Sequence, residues 1–184
     1  PSAGAIVAAN IVAKSEADGY TMLLTGSGTA VSASLFKSLP YDVLKDFAQV
    51  STMGFTEIVV LTGPEAKFNS LADMLAFARQ NPGKLNIGCN NMGSTQHLAA
   101  ELFKKETQTF IVNVPYNNVG DATGDLIINQ VQFMFHLITG AQGAVKSGQV
   151  RPIAVLAPQR SPVLPDVPTM KELGFPIESQ TWFA

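Results

Sequence analysis

The sequence predicts an α/β protein built on mostly parallel sheets with helices on both faces. From residue 85 onward, short β-prone runs alternate with helical segments of about ten residues, the pattern of parallel strands joined by helical crossovers. Hydrophobic residues make up 46% of the 184 positions and charged residues only 14%, enough apolar surface to cover a sheet on both sides. Several strands end in polar turns that lead straight into a helix, which is where ligands sit in such sheets.

Residues 3–14 are Ala-rich, with Ile6, Val7, Ile11 and Val12, and read as an opening helix. No strand or signal peptide precedes it, so an upstream piece is expected to be missing. After the turn at Ala17-Asp18-Gly19, residues 20–25 read as a buried strand, bounded by Gly26-Ser27-Gly28-Thr29. Ser27 and Thr29 offer caps to a helical segment over 30–36. A dinucleotide fingerprint would need a third small residue where Val31 stands, so no nucleotide cofactor is expected.

Two apolar runs, 48–53 and 56–62, are split by Gly54 and read as strands, and Gly63-Pro64 ends them. Leu71, Met74, Leu75 and Ala78 recur at helical spacing over 71–80, with Ser70 and Asp73 as a near capping box and Pro82-Gly83 as the stop. Strands then follow at 85–89, 109–114, 131–137 and 152–156, separated by helices at 95–105, 121–128 and 141–147. The proline-rich stretch 157–169 reads as a rigid connection. Asp166 or Thr169 then caps a short helix ending at Gly174, and the chain stops in the aromatic run Thr181-Trp182-Phe183-Ala184.

A net charge of −2 and the lack of any Lys or Arg run argue against a nucleic-acid or polybasic membrane surface. Cys89 is the single cysteine, so neither an internal disulfide nor a cysteine-based zinc site can form. The apolar runs 58–61, 110–114 and 153–157 are far shorter than the ~20 residues that span a bilayer.

The functional reading centres on residues 86–103. A β-prone run ends in Asn90, Asn91, Gly93, Ser94 and Thr95, and a helix follows with Ser94 or Thr95 as its N-cap. The first turn of a helix presents unpaired N–H groups and a positive dipole end, so it holds a carboxylate or phosphate without a basic side chain. Residues 116–121 and 136–140 fall on the same rim, each before a helix. A plain connection with a satisfied cap is the simpler reading of any one of these turns.

A catalytic reading is weaker. No Gly-x-Ser-x-Gly elbow exists, although His97 could act as base beside Ser94 or Thr95, oriented by Asp121 or Asp125. His97 and Glu101, four apart, are too few to hold a metal and read as a solvated pair. His136 follows a buried strand whose Phe133 and Phe135 are core, and its place on the polar rim keeps it as a ligand contact.

Several stretches carry a family likeness. They are Asp18-Gly19-Tyr20-Thr21-Met22-Leu23-Leu24, Leu39-Pro40-Tyr41-Asp42 with Lys45-Asp46-Phe47, Asn81-Pro82-Gly83-Lys84-Leu85-Asn86, Gly93-Ser94-Thr95-Gln96-His97-Leu98-Ala99, Val114-Pro115-Tyr116, and Arg160-Ser161-Pro162 with Leu164-Pro165-Asp166-Val167-Pro168-Thr169. In order and spacing, over essentially the whole chain, they resemble the periplasmic substrate-binding proteins of tripartite tricarboxylate transporters, the Bug-type family. The resemblance implies a type II periplasmic-binding-protein fold of two lobes. Residues 1–62 would be part of the first lobe, 63–157 the second, and 158–184 a return to the first, with pieces missing at both ends and hinge crossings near 58–61 and 153–156.

It also implies a non-enzymatic periplasmic receptor, monomeric and without cofactor or metal, that captures a small carboxylate in a cleft and delivers it to membrane permease subunits. Ser27, Gly28 and Thr29 would line the cleft from the first lobe, and Asn90, Asn91, Gly93, Ser94, Thr95, Tyr116, Asn117 and His136 from the second. Two departures stand out: Pro1-Ser2-Ala3-Gly4-Ala5 replaces the more usual Pro-Gly-Ala-Gly-Gly, and His136 stands where members often carry an acidic residue. The rival reading is a small-molecule hydrolase using His97 or His136 as base.

Overall fold

A computed structural model describes residues 6–68, 70–90 and 92–184. The chain divides into two units: Pro1–Phe55 with Gly93–Thr95 and Thr181–Ala184, and Thr56–Met92 with Gln96–Gln180. The stretch 158–180 belongs with the larger unit, and its Met170 and Ile177 are buried in that unit's core.

The larger unit is organised on five strands: β1 (Gly54–Thr62), β2 (Asn86–Asn90), β3 (Val112–Tyr116), β4 (Phe133–Leu137) and β5 (Arg151–Val155). Their order across the sheet is β3-β2-β4-β1-β5. β2 runs parallel to β3 and β4, whereas β1 runs antiparallel to β4 and β5, with Ile58 opposite Leu137 and Val59 opposite Val155. The sheet is therefore mixed, with one reversed strand among parallel ones.

Four helices cover it: α3 (Leu71–Gln80), α4 (Thr95–Thr107), α5 (Val119–Ile127) and α6 (Ile138–Lys146). Alternation along the strands decides which face each serves. Ile58, Val60, Ile87, Phe133 and Phe135 are buried with Met74 and Leu75 of α3 and Phe103 of α4. Val59, Leu61, Met134 and Val155 are buried on the other face with Leu126 of α5 and Ala141 of α6. Both faces of β1 and β4 are buried, which explains why these strands read as continuous apolar runs, whereas the edge strand β3 stays partly exposed.

Helix boundaries follow their caps. The Ser70 hydroxyl oxygen accepts the Asp73 N–H at 3.1 Å, and Leu71, Met74, Leu75 and Ala78 form the buried stripe of α3. The Asn118 side chain accepts the Gly120 N–H at 2.9 Å and starts α5. Further on, Thr169 and Glu172 cap each other: the Glu172 N–H donates to Thr169 Oγ1 at 3.1 Å, and the Thr169 N–H donates to Glu172 Oε2 at 2.7 Å. That backbone donor, and Arg160 beside it, hold the Glu172 carboxyl below the usual carboxylate range. Thr169 is thus the cap, not Asp166, and it closes a turn over 170–174 instead of a helix.

The smaller unit holds α1 (Ile6–Ala13) and α2 (Ser27–Leu35), and β6 (Gln180–Phe183) ends in it. The strands expected at 20–25 and 48–53 do not form. Tyr20 is 92% exposed, and Met22, Leu24, Val50 and Met53 are exposed as well. Thr25 and Ala184 exchange backbone hydrogen bonds at 2.8 and 3.1 Å, and the Met53 N–H donates to the Phe183 carbonyl at 2.8 Å. An apolar run becomes a strand only where a neighbour pairs its backbone and covers its side chains, and here pairing is confined to the ends of the runs.

Cys89 lies at 0% exposure inside β2, where its thiol donates weakly to the Val114 carbonyl at 3.7 Å. Burial pushes the thiol up to about 11. Among the described residues, no helix is long and apolar enough to cross a membrane.

Candidate functional site

In the smaller unit α2 begins at Ser27, three residues earlier than the sequence pattern suggested. Its N-cap, Gly26, makes no side-chain cap, and its first turn carries no acidic residue. Gly26 is also a point of close approach, since a Cβ there would lie 2.7 Å from the Trp182 carbonyl oxygen. An isolated bridge between Gly26 and Phe183 brings β6 against this helix start.

The result is a triangle of hydroxyls. Ser27 Oγ lies 2.5 Å from Thr95 Oγ1 and 2.6 Å from Thr181 Oγ1, and the Thr95 hydroxyl donates to Thr181 Oγ1 at 3.3 Å. The three come from positions 68 and 86 residues apart along the chain. Thr29 is buried and its hydroxyl is hydrogen-bonded to that of Thr25, while the Ser32 hydroxyl donates to the Gly28 carbonyl at 2.8 Å. Gly93 has φ of 83°, which glycine adopts at no steric cost, and a Cβ there would meet Leu35 Cδ2 at 2.6 Å. Ser94 is half-buried in the same unit. None of its residues is an arginine. A mostly apolar cavity of about 660 Å³ also lies within this unit, with Leu23, Thr25, Thr29, Phe47 and Trp182 on its wall.

Thr181 escaped the sequence reading. Its signal was a short polar side chain between Gln180 and Trp182, in a run whose alternation buries it: Thr181 is 7% exposed.

In the larger unit the parallel strands β3, β2 and β4 end together at Tyr116, Asn90 and Leu137, with Asn90 directly opposite Tyr116 in the register. The Tyr116 hydroxyl donates to the Asp125 carboxylate at 2.7 Å. Burial first, then this carboxylate's bond and charge, push Tyr116 up to about 12. Asn117 is exposed beside it. His136 is half-buried, with Nδ1 2.8 Å from the Leu137 carbonyl oxygen. Gly140 leaves room for this ring, because a Cβ there would lie 2.6 Å from His136 Cε1. Asn91 lies outside the described residues.

The partners of the catalytic candidates are otherwise engaged. Asp125 holds Tyr116, and His97 Nε2 sits 3.8 Å from Glu101 Oε1, which also takes Lys104 at 2.6 Å. Among the described residues, no three His, Cys, Asp or Glu side chains gather as metal ligands do.

Residues 1–184 match the family described as TctC, the tripartite tricarboxylate transporter family receptor. The chain belongs to that receptor family. BugT of Bordetella pertussis is 38% identical over 185 residues, covering 99% of this chain and 57% of BugT. R. palustris Rpa4515, solved with adipate, superposes with a TM-score of 0.89 at 32% identity, over 97% of this chain and 60% of the other. MatC of Rhodopseudomonas palustris, solved with bound malate, gives 0.86 at 28% identity, over 99% and 63%. The chain therefore spans about three-fifths of the length of these TctC relatives. The fold is the periplasmic-binding-protein α/β fold of the TctC receptors, and the family's members are periplasmic binding proteins.

Proposed function

We propose that this TctC-family chain belongs to a periplasmic solute receptor that captures a small organic carboxylate and delivers it, without chemical change, to the permease subunits of a tripartite transporter. The single observation that supports it most is the Ser27, Thr95 and Thr181 triangle at the uncapped start of α2, in a unit without arginine. Neutral hydroxyls and helix-end N–H groups suit a carboxylate that must be released again, since they donate without the hold of a buried ion pair.

The proposed contacts in the smaller unit are Ser27, Gly28, Thr29, Gly93, Ser94 and Thr95. Those in the larger unit are Asn90, Tyr116, Asn117 and His136, and Asn91, outside the described residues, is proposed with them from its place in the sequence. Tyr116 has already committed its proton to Asp125, so it offers a ligand its ring and its oxygen lone pair in place of a donor. The two compact units are the lobes of this reading, and the receptor works as a monomer.

The test is a thermal-shift screen of the full encoded protein against adipate, malate, citrate and benzoate, followed by calorimetric titration. Selective binding to the native state raises the melting temperature with ligand concentration and saturates. A saturable shift for one class is expected. No shift from any of the four overturns the carboxylate reading, and consumption of a bound acid that is lost in His97→Ala would move the assignment to the hydrolase.

A further inference from the structure

We infer that Thr181 is a positioning residue for carboxylate binding, acting through Ser27 and Thr95 without touching the ligand; this rests on the receptor reading above. Each of the three hydroxyls carries one proton, and the triangle has three edges, so a closed ring uses every donor. The direction of one edge fixes the rest. Both short edges admit either hydroxyl as donor; a ring closed through the long edge, with Thr95 toward Thr181 at 3.3 Å, has Thr181 donating to Ser27 at 2.6 Å and Ser27 to Thr95 at 2.5 Å.

A carboxylate needs a donor pointed outward. Ser27 and Thr95 cannot both supply one, because two oxygens 2.5 Å apart must share a proton between them. The ring opens most easily at its longest edge, where turning the Thr95 hydroxyl alone leaves a chain from Thr181 through Ser27 and Thr95 to the ligand. In that chain Ser27 and Thr95 each accept one bond while donating the next, and such chains polarise cooperatively. The buried Thr181 hydroxyl is its head: it donates inward and makes the Thr95 proton a stronger donor to the anion.

The placement in the fold agrees with this role. Thr181 sits on β6, held beside Ser27 by the Gly26 and Phe183 bridge and by the bonds between Thr25 and Ala184. The Thr181 backbone is therefore held by strand pairing, while the Thr95 hydroxyl needs only a turn of its proton about the Cβ–Oγ1 bond.

Thr181→Val and Thr181→Ser in the full encoded protein test the inference, with adipate and malate as probes in calorimetry and urea unfolding as the control for folding. Val keeps the shape and removes the donor; Ser keeps the donor and removes a methyl. Thr181→Val is expected to weaken carboxylate binding roughly three- to tenfold, the effect of one net hydrogen bond, and Thr181→Ser to bind within about twofold of wild type. Wild-type affinity in Thr181→Val overturns the inference and leaves the receptor reading standing, as does a Thr181→Ser protein that folds yet binds as poorly as the valine variant. A wild-type protein that binds neither probe removes the dicarboxylate receptor reading and this inference with it.

Discussion

Gly26→Ala probes how the triangle is held together. At φ −158° and ψ −172° the backbone is extended and open to alanine, so the added methyl carries no torsional penalty. Its cost is steric. The new carbon would lie 2.7 Å from the Trp182 carbonyl oxygen, where ordinary contact begins at 3.4 Å, so helix start and strand must part by about 0.7 Å. A displacement of that size along the contact stretches the 2.6 Å bond between Ser27 and Thr181 past the usual range for hydroxyls. Crowding of this kind costs about 1–3 kcal/mol. Loss of one net hydrogen bond to the site adds roughly 1 kcal/mol, or about fivefold, in carboxylate affinity. Urea unfolding and calorimetric titration of the full encoded protein measure the two separately. An alanine variant as stable as wild type, binding the same carboxylate equally well, would refute the claim that backbone approach at Gly26 sets the hydroxyl geometry.

Phe103→Ala should cost about 3–5 kcal/mol in urea unfolding, since the ring is fully buried with centroids 6.0 and 5.6 Å from Phe133 and Phe135. Gly140→Ala should push the His136 imidazole off the Leu137 carbonyl and, like His136→Ala, should weaken carboxylate binding; normal binding by Gly140→Ala would separate ring position from function. Tyr116 supplies a pH test. Its folded value of about 12 lies above its ordinary 10, so the stability it contributes is complete below pH 10 and is lost as pH rises through about 12. The unfolding free-energy difference between wild type and Tyr116→Phe should be constant below pH 10 and shrink above it. A flat difference would show that burial and the Asp125 carboxylate together do not hold the phenol protonated.

Where the chain pays for its own local structure, the sequence was legible. Leu71, Met74, Leu75 and Ala78 all point into the core, and Ser70 caps the helix they define, because cap and stripe are both encoded within about ten residues. Phe133 and Phe135 are core, as strand alternation required. Residues 20–25 failed for the opposite reason: their apolar character states a wish for burial, but pairing depends on what lies beside them. The reversed direction of β1 was equally invisible, since an apolar run carries no polarity that local chemistry can read.

The site divides along the same line. Ser27 and Thr95 were legible as helix-start hydroxyls, each from its own neighbourhood. That they meet at 2.5 Å, and that Thr181 joins them, depends on β6 closing over Gly26 from more than 150 residues away. Tyr116 was placed on the rim by the strand-end rule, but its bond to Asp125 depends on α5 packing back beside β3, which no local pattern states.

Cys89 has a practical consequence. A lone thiol with no exposed surface, held protonated to about pH 11, is inert to maleimides while the sheet is intact. A cysteine introduced on the surface of this chain can therefore carry a fluorophore without first mutating Cys89. Left unlabelled, Cys89 becomes a clock: its rate of alkylation in native buffer times how often β2 leaves its neighbours.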